Sequence, residues 1–144
     1  MKDLHNVVRT AEALAPAALT TVAGRSGKII DTQGYGGVEF LINYGAVTAT
    51  NATITPVLKE GDVTGTLTSV ADADLLGTEA LAALPAQASA RTSGVGKNVT
   101  TRLGYKGNKR YVQLSIASST VTAATVLSAV ALLHSPNVAQ TANP

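Results

Sequence analysis

The chain has 144 residues, of which 14% are charged, 45% hydrophobic and only 3% aromatic, with a net charge of +2. That length suits one domain with a real core, and the charge content falls well below the roughly 25% of an ordinary soluble domain. Abundant Thr, Ser, Ala and Val argue against disorder and point to a β-rich protein whose neutral surface is partly covered by neighbours. A charge of +2 is too small to indicate a nucleic-acid partner by itself, and the absence of cysteine excludes disulfides and thiolate metal sites.

Residues 1–18 read as an extended N-terminal arm, with a helical turn over Ala11 to Leu14 interrupted by Pro16. No secretory signal stands out, because Glu12 and Pro16 break the apolar stretch and Asp3 and Arg9 precede it. A first short strand is expected over Leu19 to Ala23, a turn at Gly24 to Gly27, and a second strand over Lys28 to Asp31. Val38 to Tyr44 is the clearest strand of the first half. It sets Val38, Phe40, Ile42 and Tyr44 on one face and Glu39 and Asn43 on the other, with Phe40 expected at the core centre.

Ala52 to Lys59 is a further strand, in which Pro56 favours a sheet edge or a bulge. Val63 to Val70 follows after a turn at Glu60 to Asp62. Asp72 or Asp74 is placed to cap a helical turn through Leu75 and Leu76, and a loop rich in Ala, Gly, Ser and Pro then runs to Asn98. Val99 to Tyr105 and Arg110 to Ala117 are expected to be the arms of a hairpin. Gly107 and Asn108 supply its turn, and Val112, Leu114 and Ile116 its inward face.

Val121 to Leu133 falls short of the ~20 apolar residues a spanning helix needs, so the chain reads as soluble. Its β-branched content favours a central strand over a buried helix. The polar stretch 134–144 is a C-terminal tail. Seven or eight strands at intervals near the ~8–12 residues of a sandwich make an all-β antiparallel sandwich of jelly-roll type, residues 19–133, with an extended arm at each end.

Tests for chemistry mostly fail. His5 and His134 sit near opposite termini, with no Cys and no nearby carboxylate to complete a metal or catalytic site. Asp72 to Gly77 starts like a calcium loop, but Leu76 and Ala83 stand where oxygen ligands are required. Gly94 to Lys97 and Gly24 to Lys28 lack the remaining positions of a phosphate loop. Asn51-Ala52-Thr53 and Asn98-Val99-Thr100 match the glycosylation acceptor pattern, which recurs by chance. No triad or carboxylate pair can be assembled, which argues against an enzyme. Lys106, Lys109 and Arg110 with Tyr105 and Tyr111 form the one charged display. It reads as a solvated turn or a protein contact, ahead of a nucleic-acid patch.

Three segments carry a resemblance: Asp31-Thr32-Gln33-Gly34-Tyr35 leading into Val38 to Gly45, then Gly104-Tyr105-Lys106-Gly107-Asn108-Lys109-Arg110-Tyr111-Val112, and Leu132-Leu133-His134-Ser135-Pro136. In that order, over residues 28–136, the chain resembles the head decoration (cement) proteins of tailed bacteriophages, and is similar to those of Bordetella-type podophages. The resemblance implies a jelly-roll-like sandwich on the outer surface of an icosahedral capsid, made in the bacterial host cytoplasm. Such a protein binds the major capsid protein, assembles as a dimer or trimer, needs no cofactor, and contacts neither nucleic acid nor membrane directly. A head-completion or tail protein, or a carbohydrate-binding jelly roll, is the alternative. On the cement reading, the contacts fall to His5, Val7, Val8 and Arg9 in the arm, to the display Tyr105, Lys106, Lys109, Arg110 and Tyr111, and to His134, Pro136 and Val138 in the tail.

Overall fold

The structure, a computed structural model, describes residues 4–20, 23–93 and 97–137. Within them the strands are β1 (Val8–Leu19), β2 (Arg25–Asp31), β3 (Tyr35–Tyr44), β4 (Thr53–Val63), β5 (Thr66–Ser69), β6 (Leu75–Leu76), β7 (Val99–Tyr105), β8 (Tyr111–Ser119) and β9 (Thr125–Pro136). A 3-10 turn at Asp72–Asp74 and a short helix α1 (Glu79–Ala82) lie between β5 and β7. One sheet has the order β1-β9-β3-β7-β6 and the other β2-β8-β4-β5, with antiparallel ladders throughout.

The pairing is nested: β1 with β9, β2 with β8, β3 with β7, β4 with β5. A single long hairpin rolled over on itself makes those pairs, and two packed sheets of this kind are a jelly roll. The two-residue β6 only extends one edge.

Alternation drives the core. Val38, Phe40, Ile42 and Tyr44 of β3 are buried, as are Val112, Leu114 and Ile116 of β8 and Leu127, Ala129, Ala131 and Leu133 of β9. Phe40 is fully enclosed, as its pattern predicts. β9 is central, held between β1 and β3, so the apolar run is a strand and not a helix. Pro56 lies where β4 has only β8 beside it, because β5 starts pairing at Lys59; its missing N–H therefore costs no ladder bond.

Several expectations change. β2 already begins at Arg25, inside the expected Gly24 to Gly27 turn, and Glu60 to Asp62 lie within β4 instead of forming a turn. From Val8 onward the supposed N-terminal arm is β1, paired with β9 and burying Ala13, Leu14 and Leu19. Register shifts between Glu12 and Leu14, and between Leu14 and Ala17, absorb Pro16 and conceal the period of two. Two carbonyls of this edge strand, Ala15 and Ala17, accept hydrogen bonds from the Arg25 guanidinium at 3.1 and 3.2 Å. At the other end His134–Pro136 continue β9, with Gly37 opposite His134 and Tyr35 opposite Pro136, so the tail begins only after them.

The helix cap is also elsewhere. Leu75–Leu76 are strand, the 3-10 turn has no side-chain cap, and α1 is capped by Thr78, whose hydroxyl accepts from the Leu81 amide at 3.1 Å. Finally, β7 and β8 do not form a hairpin. They lie in different sheets, and the turn joining them arches across the gap between the layers. Glycine and asparagine serve an arch as well as they serve a hairpin, so local composition does not separate the two.

Candidate protein interface at the turn end of the roll

The β2–β3 turn, the β4–β5 hairpin, the β7–β8 arch and the meeting of β1 with the end of β9 occupy one end of the sandwich. There the three segments that carry the sequence resemblance converge. The Thr32 amide donates to the Arg110 carbonyl at 2.9 Å, and the Thr32 hydroxyl reaches the carbonyls of Lys109 and Arg110 at 3.2 and 2.9 Å. The Asn137 amide donates to the Gly34 carbonyl at 2.8 Å, and the Lys106 amide to the Asp74 carbonyl at 2.9 Å.

Tyr105 is the post on which the arch is built. It is 1% exposed, and its hydroxyl donates to the Glu60 carboxylate at 2.5 Å while accepting from the Lys109 amide at 2.9 Å. Burial, reinforced by Glu60, pushes its phenol well above the ordinary tyrosine range. Gly107 lies against the same ring. A β-carbon there would come 2.6 Å from Tyr105 Cζ, so no larger residue fits without moving the turn.

Two of the arch's three cations, Lys109 and Arg110, are already engaged. Lys109 Nζ lies 2.6 Å from Asp62, which holds the ammonium above its usual range. Arg110 donates to both oxygens of Asp31, at 2.8 Å from Nη2 and 3.1 and 3.2 Å from Nε. That fork lowers the Asp31 carboxyl, and the guanidinium also stands 5.0 Å over the Tyr111 ring. Four carboxylates, Asp31, Glu60, Asp62 and Asp74, thus lie around the arch that carries Lys106, Lys109 and Arg110. A patch without net positive charge gives no counterion-release drive to a nucleic acid.

The contact residues expected from sequence separate accordingly. Tyr105 belongs to the core and presents nothing to a partner. Lys106, Lys109 and Arg110 are exposed, the latter two in ion pairs, and Tyr111 is half-buried. His5 is exposed in the turn before β1, Val7 is half-buried, Val8 pairs with His134, and Arg9 is exposed and near enough to Asp31 to lower its carboxyl further. His134 packs on Gly37, where a β-carbon would meet its ring at 2.8 Å, and Pro136 ends β9 beside Tyr35. Val138 lies outside the described residues. A depression of about 360 Å³ separates the β2–β3 turn from the arch, with Gln33, Tyr35, Lys106, Asn108 and Asn137 among its walls. Among the described residues no group of three or more His, Asp or Glu side chains is arranged to hold a metal ion.

Sequence reasoning missed the outward face of the five-stranded sheet. Leu41, Val130 and Leu132 point out of it, with Val130 37% and Val126 54% exposed. The available signal was a strand apolar at both parities, Val126 to Leu133.

A known structure shares the architecture. The crystal structure of the infectious bursal disease virus VP2 subviral particle is similar to this chain at a TM-score of 0.51 and 9% identity, over 90% of this chain and 33% of that one. The likeness is one of fold. The structure of the Gx strain of the same virus matches at a TM-score of 0.48 and 10% identity, over 92% of this chain and 34% of that one. The CBM22-1 and GH10 modules of Clostridium thermocellum endo-1,4-β-D-xylanase 10B match at 0.46 and 15%, over 96% of this chain and 30% of theirs. The chain spans about a third of the length of each. No protein-family model and no curated protein sequence matches it.

Proposed function

We propose that the chain is a virion structural protein, not an enzyme, that decorates and stabilises an icosahedral phage head by binding major capsid protein on the outer surface. One observation carries the reading. The three segments that resemble phage cement proteins, far apart in sequence, are brought to one end of a jelly roll and tied together there by hydrogen bonds. The likeness in fold to a viral subviral-particle protein supports it.

On this reading the turn end is the capsid contact. Lys106, Arg9, Val7 and His5 stand at its surface, and the recess beside Tyr35 receives a capsid loop. The Lys109–Asp62 and Arg110–Asp31 pairs hold the arch in shape before the partner arrives, which lowers the ordering cost of binding. Many modest contacts repeated over a shell then hold by avidity. An electron-microscopy map of the particle tests the proposal. A jelly roll outside the shell with its β7–β8 arch against major capsid protein is expected; its presence only at the portal vertex or in the tail overturns it.

A further inference from the structure

The two edges of the five-stranded sheet are defended differently. At one, β1 carries two register shifts and Pro16, and the Arg25 guanidinium takes the carbonyls of Ala15 and Ala17. Bulges, proline and occupied carbonyls keep a further strand from adding. At the other, β6 covers only Gly104 and Tyr105 of β7. From Val99 to Leu103 β7 has neither proline nor bulge, and its register with β3 is unbroken.

The ladder shows which backbone groups this leaves. The Lys106 amide donates to the Asp74 carbonyl at 2.9 Å, and the register continues with Tyr105 opposite Leu75 and Gly104 opposite Leu76. Hydrogen-bonded pairs alternate along an antiparallel ladder. Lys106, Gly104, Arg102 and Thr100 therefore aim their N–H and C=O groups at this edge. Gly104 meets Leu76. The chain then turns away at Gly77, with φ 87°, and among the described residues no strand or turn stands beside Arg102 and Thr100. Both residues are exposed.

The side chains around the free stretch suit a peptide of particular character. A recess of about 590 Å³ lies beside it, with Glu39, Leu76, Leu81 and Arg102 in its walls. The Thr101 hydroxyl donates to the Ala82 carbonyl at 2.9 Å, which holds α1 under the edge and leaves Leu81 79% exposed beside it. On the outward face Arg102 ends a row that runs through Leu41 and Val130. Its side chain is 81% exposed, and its ion pair with Glu39, which lies over Gly104, is stretched to 3.9 Å. A guanidinium has donors to spare in such a pair. A residue added directly opposite Arg102 stands about 5 Å away on the same face, where an acid is favoured and a second cation opposed.

We propose that the free edge of β7 takes an extended segment of another protein as an added antiparallel strand, with an acidic residue opposite Arg102 and apolar residues turned toward Leu81. Main-chain bonds to Arg102 and Thr100 supply the affinity, and the alternating side chains supply the choice of partner. The virion role does not enter into this, and its test is separate.

A blocked six-residue peptide of alternating valine and glutamate is the probe, titrated into the isotope-labelled full chain and followed by NMR. Saturable binding that slows hydrogen exchange of the Thr100 and Arg102 amides is expected. A valine and lysine peptide of the same length is expected to bind about fivefold more weakly, and R102E is expected to reverse that preference. Should R102E fail to fold by circular dichroism, Arg102→Gln is expected to abolish the preference. N-methylation of the glutamates, whose amides would face β7, is expected to weaken binding about tenfold; N-methylation of the valines, whose amides would face away, should leave it unchanged. Absence of binding overturns the proposal, as do binding without protection of the two amides, equal loss from either methylation, and equal affinity for the acidic and basic peptides. Protection of these amides that grows with concentration of the free chain also overturns it and gives the edge to a second copy.

Discussion

The β7–β8 arch and the outward face of the five-stranded sheet use charge in opposite ways. The arch is the most conspicuous basic stretch in the sequence, yet Lys109 and Arg110 are paired with Asp62 and Asp31, and Tyr105 is buried against Glu60. The outward face carries few charges, but Arg102 stands 81% exposed beside an apolar row. A conspicuous cluster is therefore a poor guide to what a partner can reach. What matters is whether the folded chain has already satisfied it.

The largest effect that separates the two regions comes from truncation. Removing residues 1–15 takes away two-thirds of β1, including buried Ala13 and Leu14, while removing residues 1–7 leaves the ladder intact. Loss of one buried leucine alone costs about 2–5 kcal/mol, a large share of a stability of about 5–15. The longer truncation is expected to be unfolded by circular dichroism. The shorter one is expected to fold and to lose capsid occupancy, and retained occupancy would remove His5 and Val7 from the contact.

Tyr105→Phe comes next. It leaves the Glu60 carboxylate and the Lys109 amide without their shared hydroxyl, and should lower stability in urea by about 1–3 kcal/mol. Arg102→Ser on the sheet face should stay within about 0.5 kcal/mol of wild type in the same titration. Equal losses would erase the contrast between satisfied arch and unspent face.

Titration gives smaller, signed effects. Burial pushes the Tyr44 phenol up to about 12, where its hydroxyl donates to the Ala82 carbonyl at 2.9 Å. A folded value above the unfolded value of about 10 means stability is complete below pH ~10 and falls as pH rises toward 12. Tyr44→Phe should remove that part of the alkaline slope measured by thermal unfolding.

Asp31 works in the other direction. Arg110 holds its carboxyl below the unfolded value of about 3.9, so its contribution is complete above pH ~4 and is lost as pH falls through the lower folded value. Asp31→Asn should flatten the acid limb slightly, and an unchanged limb would mean the fork at the arch does not act in solution.

Much of the fold was legible because the apolar side chains of β3 and β8 sit at alternate positions, and those positions are buried. β1 was not, since Pro16 and its register shifts scramble the period and its core contacts include small alanine. The arch passed for a hairpin because its partners are remote: Asp62 lies 47 residues from Lys109 and Asp31 lies 79 from Arg110. No local pattern announces such pairs. The outward row was hidden for a related reason. A central strand apolar on both parities reads the same whether its second face meets protein or solvent.

The virion role is tested most directly by copy number. Quantitative mass spectrometry of purified particles should find this chain at an abundance approaching that of the major capsid protein. A few copies per particle, or none, would contradict a decorating role.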